Sequence, residues 1–405
     1  MINPLTAIGF TLFISFIFSE LSHHFKYPRV LGQLTAGILI GFPFFRAIID
    51  ATAVQNIEFL SELGVIFLFL VIGMEIDITK LKQERRRSTI LGLVSIGVPI
   101  VMGYFAGQLL GYSEFTSLII GVCLSITSES TNTQLFMELG LLKKRLAKVI
   151  FGAAMIDDVF AIVFLAILIP ILNGDLQAAA SIPIKFIAFA AVIWGLLRVM
   201  PFFVTHIEED ESNIAEVGMM VVFGLVVAIL SIQLGLGAIL GAFIAGVIIQ
   251  ISLRHECNSQ CGTHKQIHRK HKEIFLKNVE NLKVMTLSFI IPFFFIHMGL
   301  QLDVGAIFTH PITIGVILIA GMLGKFIAAF ISKFSLKLTW AQTAIVGWGM
   351  NSRGMIELVI AELALAHEII NDEVYAALVV LVIVSIFSFP IALKKIIAKN
   401  PEAMG

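Results

Sequence analysis

Two adjacent aspartates, Asp157 and Asp158, lie inside a long apolar stretch and raise the question of what stabilises their charges. They belong to the segment AAMIDDVFAI, residues 153–162. A carboxylate near the middle of a lipid bilayer costs about 2.5–3.5 kcal/mol on insertion scales, so each one must be compensated or protonated. Neighbouring residues on a helix point about 100 degrees apart, so these two side chains face different surroundings.

A cation for one of the aspartates is available in another apolar stretch. Lys325 lies deep in the run GMLGKFIAAF, residues 321–330. We expect one aspartate to pair with Lys325 and the other to face a cavity, where it binds a cation or a proton. Burial without a partner disfavours the ionised form of a carboxyl group, which suits competition between the two. The alternative is a structural ion pair beside one protonated aspartate.

The composition places the chain in a membrane. Of its 405 residues 58% are hydrophobic and 14% are charged, whereas soluble domains have about 25% charged residues. The net charge is zero and the basic residues cluster in loops, so the sequence does not predict nucleic-acid binding. The first apolar run has no basic segment before it and no cleavage site after it, and we interpret it as a retained helix.

Apolar runs of about 20 residues predict an all-α polytopic membrane protein, because this length of helix spans a bilayer. We predict thirteen transmembrane helices, at 5–22, 28–46, 56–76, 88–110, 115–138, 146–172, 182–203, 213–233, 236–252, 282–301, 309–333, 340–364 and 372–396. Lysines and arginines concentrate in alternate loops. The positive-inside rule therefore predicts an outside N-terminus and a cytoplasmic C-terminus.

The chain also carries an internal repeat. The segment FLFLVIGMEID resembles FFFIHMGLQLD, and this match aligns Gly73 with Gly299, 226 residues later. The same offset aligns Gly121 with Gly347, so predicted helix 3 corresponds to helix 10 and helix 5 to helix 12. Because seven is an odd number of helices, the two copies must be inverted. Such repeats are typical of secondary transporters. The alternative is chance similarity between apolar segments.

We therefore expect one transmembrane transporter domain over residues 1–405. Its first repeat is 1–172, its linker helix is 182–203 and its second repeat is 213–398. A cytoplasmic loop, 253–281, contains histidines and cysteines.

Polar residues interrupt two of the predicted helices. Helix 5 contains the polar stretch from Ser125 to Thr133, and helix 12 contains Asn351-Ser352-Arg353 flanked by glycines. Irregular backbone at this depth is tolerated only where it lines a protein-enclosed cavity. The exposed helix ends carry about half a charge each.

Charged side chains lie in both interruptions. We expect Glu129 to offset exposed helix N-termini and Arg353 to offset exposed C-termini, which leaves a polar and nearly neutral place for an ion. Alternatively, Arg353 pairs with Glu357 four residues later, and the two arrangements are compatible.

Together these features resemble the monovalent cation/proton antiporter superfamily. The closest resemblance is to the branch that contains bacterial sodium/proton antiporters and the glutathione-gated potassium efflux transporters. The resemblance covers nearly the whole chain. The features that carry it are the Asp-Asp pair, Lys325, the two interrupted helices, the glycine-containing repeats and the segment NSRGMIEL, residues 351–358.

The resemblance implies a dimerisation domain and a mobile core domain, and hence a homodimer in a bacterial or archaeal cytoplasmic membrane. It implies that Asp158 binds the ion or the proton and that Asp157 pairs with Lys325. Thr127 and Ser128 of the first interruption would complete the ion site. Two adjacent aspartates imply electrogenic sodium/proton exchange, with potassium/proton antiport or potassium efflux as the alternative.

The chain departs from the family pattern in two places. Small or hydroxyl residues are commoner than an acidic residue at the position of Glu129, which puts the choice among sodium, potassium and lithium in doubt. The sequence stops at Gly405 without a nucleotide-binding domain, which argues against gated potassium efflux. We expect membrane lipid, monovalent cations and protons as partners, and no bound cofactor.

The basic loop HECNSQCGTHKQIHRKHK, residues 255–272, could bind a metal. Its sulfur and imidazole groups suit zinc, although their spacing matches no standard zinc motif. The histidines could instead sense pH, and an ordinary basic loop is the third interpretation. The residues in question are Cys257, Cys261, His264, His268 and His271.

Two other functional classes are possible for buried carboxylates. An intramembrane aspartyl protease needs its two carboxylates on separate helices, which adjacent residues do not provide. A channel would use buried charges without proton coupling. The chain has no Gly-x4-Gly-Lys-Ser/Thr segment, so we do not expect ATP-driven pumping.

Overall fold

The computed structural model of the chain is helical and contains no strand among the residues it describes. These are residues 4–25, 27–42, 51–75, 84–128, 132, 135–136, 139, 141, 144–172, 184–185, 187–196, 198, 213–259 and 276–404. The helices there are α1 (Pro4–His24), α2 (Arg29–Gly41), α3 (Ala51–Glu75), α4 (Arg85–Leu109), α5 (Glu114–Ser125), α6 (Arg145–Leu172), α7 (Ile187–Leu196), α8 (Asn213–Gln233), α9 (Ala238–Ser259), α10 (Leu276–Gln301), α11 (Val304–Thr309), α12 (Pro311–Leu336), α13 (Trp340–Met350), α14 (Met355–Ala366) and α15 (Asp372–Lys399). All are α-helical except for one π-helical segment within α10, Thr286–Ile290. A 3-10 turn, Pro401–Met404, follows α15.

Within the described part of the chain, seven helices are long and apolar enough to cross a membrane: α1, α3, α4, α8, α10, α12 and α15. Shorter apolar helices are α2, α5, α7 and residues 238–251 of α9. The predicted boundaries differ by several residues in places, since α10 begins at Leu276 and α2 ends at Gly41. The total of thirteen spans stays a prediction.

Polar side chains define the beginnings of the helices that surround the interrupted segments. The Ser113 hydroxyl accepts a hydrogen bond from the Thr116 amide at 3.1 Å and caps α5. Thr339 and Gln342 form a reciprocal capping box at the start of α13. Such caps satisfy backbone amides that have no partner within the helix.

The chain divides into two compact units. Unit 1 consists of Met1–Leu12, Asp50–Ile76 and Ile162–His297. Here α3 and α9 pack backbone against backbone. A Cβ at Gly73 would lie 2.1 Å from the Phe243 carbonyl oxygen, and one at Gly246 would lie 2.2 Å from that of Leu70. Only glycine fits at these two positions, as in other close helix contacts in membranes.

Unit 2 consists of Phe13–Ile49, Asp77–Ala161 and Met298–Gly405. Two of its glycines make similar contacts with the preceding long helix. A Cβ at Gly121 of α5 would lie 2.4 Å from the Ile100 carbonyl oxygen of α4. A Cβ at Gly347 of α13 would lie 2.6 Å from the Phe326 ring of α12. These contacts hold the ends of α5 and α13 inside unit 2, where both helices stop.

Candidate ion-binding site

Two helices of unit 2 end in its interior. Helix α5 ends at Ser125 and α13 ends at Met350, and the chain resumes helical structure at α14 after the second interruption. The two interruptions bond to each other. The Ser128 amide donates to the Ser352 carbonyl oxygen at 2.8 Å, and the Ser352 hydroxyl donates to the Ser128 carbonyl oxygen at 3.0 Å. Backbone groups freed by the breaks therefore find partners without water.

Lys325 of α12 lies beside both Asp157 and the first interruption. Its Nζ is 3.2 Å from Asp157 Oδ2 and 2.8 Å from the Thr127 hydroxyl, and both charged side chains are fully buried. The Thr127 hydroxyl in turn donates to Asp157 Oδ2 at 2.7 Å. Lysine, threonine and aspartate thus form a closed triangle of hydrogen bonds.

Backbone groups complete the surroundings of the lysine. Lys325 donates to the carbonyl oxygen of Ser125, the last residue of α5. It also lies 2.8 Å from the Ser95 hydroxyl and 3.1 Å from the Ser95 carbonyl oxygen. A cation at a helix C-terminus is stabilised by the negative end of the helix dipole. Lys325 therefore compensates both an aspartate and a buried helix end.

Arg353 lies in the second interruption and caps the same helix. Its Nη1 donates to the Leu124 carbonyl oxygen at 2.8 Å and to that of Cys123 at 3.2 Å. Its Nη2 donates to the Gly321 carbonyl oxygen at 2.9 Å. Arg353 Nη1 also lies 3.4 Å from Glu357 Oε2. Arg353 therefore both offsets the C-terminus of α5 and pairs with Glu357. It lies two residues before Met355, the first residue of α14.

The remaining predicted residues are placed as follows. Asp158 is 5% exposed and follows Asp157 directly in α6. Ser128 contacts the second interruption, as described above. Glu129 lies outside the described residues, and so do Cys261, His264, His268 and His271. Cys257 belongs to the last turns of α9.

Several polar residues of the site carried no clear signal in the sequence. Asn132 donates to the Gly349 carbonyl oxygen at 2.9 Å and to the Ser352 hydroxyl at 2.7 Å. The Ser385 hydroxyl donates to the Asn351 carbonyl oxygen. Ser95 and Ser385 lie within apolar runs, where a serine most often bonds its own helix. The sequence marks Asn132 as part of a polar stretch, but it does not indicate which groups this side chain bonds.

When the five buried charged side chains of unit 2 are all ionised, they sum to one negative charge. Three carboxylates, Asp157, Asp158 and Glu357, lie with two cations, Lys325 and Arg353, and each is buried. All five belong to unit 2. One monovalent cation or one proton would balance this group. Buried charges are tolerated when they are paired and hydrogen-bonded, and an uncompensated one is strongly destabilising.

Comparisons with known proteins give a consistent result. The sequence matches the family described as "Sodium/hydrogen exchanger, transmembrane" over residues 9–399. A Na(+)/H(+) antiporter of Enterococcus hirae is 26% identical over 382 residues, covering 93% of this chain and 93% of that protein. The Na(+)/H(+)-K(+) antiporter GerN of Bacillus cereus is 28% identical over 393 residues, covering 95% of this chain and 94% of that protein.

The fold is similar to that of a solved structure. The sodium proton antiporter MjNhaP1 from Methanocaldococcus jannaschii superposes with a TM-score of 0.68 at 15% identity. The superposition covers 98% of this chain and 96% of that one. The helices described above therefore form the fold of that antiporter.

Proposed function

Because the chain belongs to the sodium/hydrogen exchanger family, we propose that it is a secondary active antiporter that exchanges sodium ions for protons across a cell membrane. Asp158 carries either the cation or the proton. The adjacent pair of aspartates implies electrogenic exchange, in which a second proton moves in each cycle beside the one on Asp158 and is carried by the buried Asp157–Lys325 pair. The protein works as a homodimer in a bacterial or archaeal cytoplasmic membrane.

One observation carries the assignment of the site. Asp157 shares the Thr127 hydroxyl with Lys325, and all three side chains are fully buried where the two interruptions meet. The charge of this aspartate is therefore already compensated. Asp158 follows it in α6 and points about 100 degrees away, toward different surroundings. This division gives the first aspartate a cation partner within the protein, and we assign sodium binding to the second.

Charge balance supplies the coupling between the two fluxes. With every carboxylate ionised, the buried group has one surplus negative charge, and moving it through a medium of low dielectric constant is costly. A sodium ion or a proton on Asp158 removes that surplus. Sodium is a hard cation, and hydroxyl and carbonyl oxygens of the two interruptions can complete its shell. The mobile core domain therefore moves only when Asp158 carries a sodium ion or a proton. The two ions compete for this carboxylate.

Pairs of equivalent contacts support the inverted repeats. The Thr127 hydroxyl lies 3.2 Å from the carbonyl oxygen of Met350, the last residue of α13. Arg353, 226 residues after Thr127, reaches the carbonyl oxygens at the end of α5 in the same way. Each interruption thus stabilises the C-terminus of the other broken helix. We infer inverted repeats, thirteen spans, an outside N-terminus and a cytoplasmic C-terminus.

Potassium is the second candidate cation. The name of the GerN relative includes potassium beside sodium and protons. Oxygen ligands accept both ions, so the transport assay must compare sodium, potassium and lithium.

Proteoliposomes with an imposed inside-acidic pH gradient test the exchange. Addition of external sodium should dissipate the gradient, and a potassium/valinomycin clamp of the membrane potential should accelerate this process because charge moves with each cycle. Failure of every alkali cation to dissipate the gradient would contradict antiport. Equal rates with and without the clamp would contradict the electrogenic part alone.

The aspartate variants test the site. Asp158→Asn should abolish exchange, because an amide binds neither a proton nor a sodium ion strongly. Asp157→Asn should retain exchange with altered electrogenicity. Asp303→Asn is the matched control, since Asp303 is an exposed cap of α11 and asparagine also caps helices. Full exchange by Asp158→Asn would overturn the assignment.

A further inference from the structure

A small cavity opens at the end of unit 2 where α4 and α6 begin. It is separate from the ion site, because Ser95 lies eight residues after Arg87 in α4 and Asp157 lies twelve residues after Arg145 in α6. It has a volume of about 130 Å³ and lies among the first turns of α4, α6 and α13 and the end of α12. Most of its wall is apolar. Its lining residues are Arg87, Arg145, Leu146, Val149, Leu336, Leu338, Gln342, Val346 and Met404.

Two arginines share a single carboxylate at this cavity. Arg145 Nε lies 2.8 Å from Glu84 Oε1, and Arg87 Nε lies 3.9 Å from Glu84 Oε2. The three side chains therefore leave one surplus positive charge. Arg87 is 37% exposed and Arg145 is 56% exposed, so both guanidinium groups can reach a ligand from outside.

The backbone adds to this positive potential. Both arginines belong to the first turn of a helix, where the helix dipole is also positive and cations are disfavoured. The first turns of α4 and α6 contain no acidic residue, and Glu84, the N-cap of α4, is already shared by the two arginines. An anion bound at the cavity would offset both contributions. The positive-inside rule explains basic residues in this region, but it does not require two of them to face one apolar cavity.

Aromatic residues indicate the depth of the cavity in the membrane. Trp340, the first residue of α13, is 67% exposed, and Lys333 Nζ lies 3.1 Å from the centre of its ring. Phe330 stacks on the same ring. Exposed tryptophans beside basic residues are typical of the level of the lipid headgroups. Gln342, in the first turn of α13, lines the cavity, which therefore lies near that level.

We propose that this cavity binds an anionic phospholipid. The phosphate contacts Arg87 and Arg145, and the glycerol and the first carbons of an acyl chain contact the apolar wall at Leu146 and Leu338. Basic pockets between transmembrane helices on the cytoplasmic side are a recognised type of site for acidic lipid headgroups. The cytoplasmic location rests on the orientation proposed above, but binding does not depend on transport and can be measured without it.

Calorimetric titration of the detergent-purified protein with dioctanoyl phosphatidylglycerol tests the proposal. Saturable binding is expected, with none for dioctanoyl phosphatidylcholine. The double variant Arg87→Gln/Arg145→Gln should bind about tenfold more weakly or worse. Arg85→Gln/Arg86→Gln is the matched control, because it removes the same charge from exposed neighbours that do not line the cavity.

Two further measurements separate a lipid site from a general electrostatic effect. Leu338→Trp narrows the cavity without changing the charge and should also weaken binding, in protein that remains monodisperse. Inorganic phosphate should bind much more weakly than the lipid. Equal loss in both double variants would overturn the proposal, and so would unchanged affinity in Arg87→Gln/Arg145→Gln. Equal affinity for phosphate and lipid would contradict the choice of a lipid.

Discussion

The two compact units stabilise their helices in different ways. In unit 1, α3 and α9 approach closely at Gly73 and Gly246, and no Asp, Glu, Lys or Arg is buried among the side chains of this unit that the structure describes. Unit 2 also uses close glycine contacts, but it buries five charged side chains in addition. Dispersion contacts suffice to pack helices in lipid. The charges of unit 2 are therefore not needed for packing alone, which connects them with function.

The largest effect on stability is expected when the buried pair of unit 2 is broken. Lys325→Met should leave Asp157 without its cation and remove one of the two cations at the end of α5, which should destabilise the protein by about 3–5 kcal/mol. The additional substitution Asp157→Asn should restore part of this loss. Thermal unfolding in detergent measures both. Lys395→Met, at an exposed position of α15, is the control and should have little effect.

A substitution in unit 1 tests whether close glycine contacts stabilise that unit. Gly73→Ala places a methyl group against the Phe243 carbonyl oxygen and should destabilise the protein by about 1–3 kcal/mol, because the two backbones must separate. Gly218→Ala, in α8 of the same unit, has no heavy atom within 4 Å of the new Cβ and should be neutral or stabilising. Equal unfolding temperatures for the two variants would contradict this account of unit 1.

The smallest effect is expected from the hydroxyl that joins the buried triangle. Thr127→Val keeps the shape of the side chain and removes its hydrogen bonds to Asp157 and Lys325, which should cost about 1 kcal/mol. Thr127→Ser retains the hydroxyl and should behave like the unchanged protein. Sodium affinity in proteoliposomes should fall in the valine variant and not in the serine variant. A valine variant with normal affinity and stability would mean that the triangle does not position the aspartates.

The sequence predicts the helical membrane fold well, because long apolar runs and polar interruptions have few alternatives in a bilayer. It also singles out Asp157, Lys325 and Arg353, since charges in apolar runs are rare and need partners. The partners supplied by the backbone are not predictable in this way. Any residue has a carbonyl group, and only the packing of α4, α5 and α12 brings Ser95 and Ser125 to the lysine.

Helix ends were also harder to predict than helix centres. Hydropathy changes little between Ala238 and Ile251, but the helix continues to Ser259, into polar sequence that periodicity does not mark. The role of Asp158 stays a prediction, because it depends on a transported ion.

Competition between sodium and protons is the most direct test of the account. Initial rates of sodium-driven proton movement in proteoliposomes should be measured over a range of sodium concentrations at several pH values. If both ions occupy Asp158, the apparent KM for sodium should rise by about tenfold for each unit of falling pH in the acidic range, since one proton must be displaced. The maximal rate should stay unchanged. An apparent KM that does not depend on pH would contradict a single shared carboxylate.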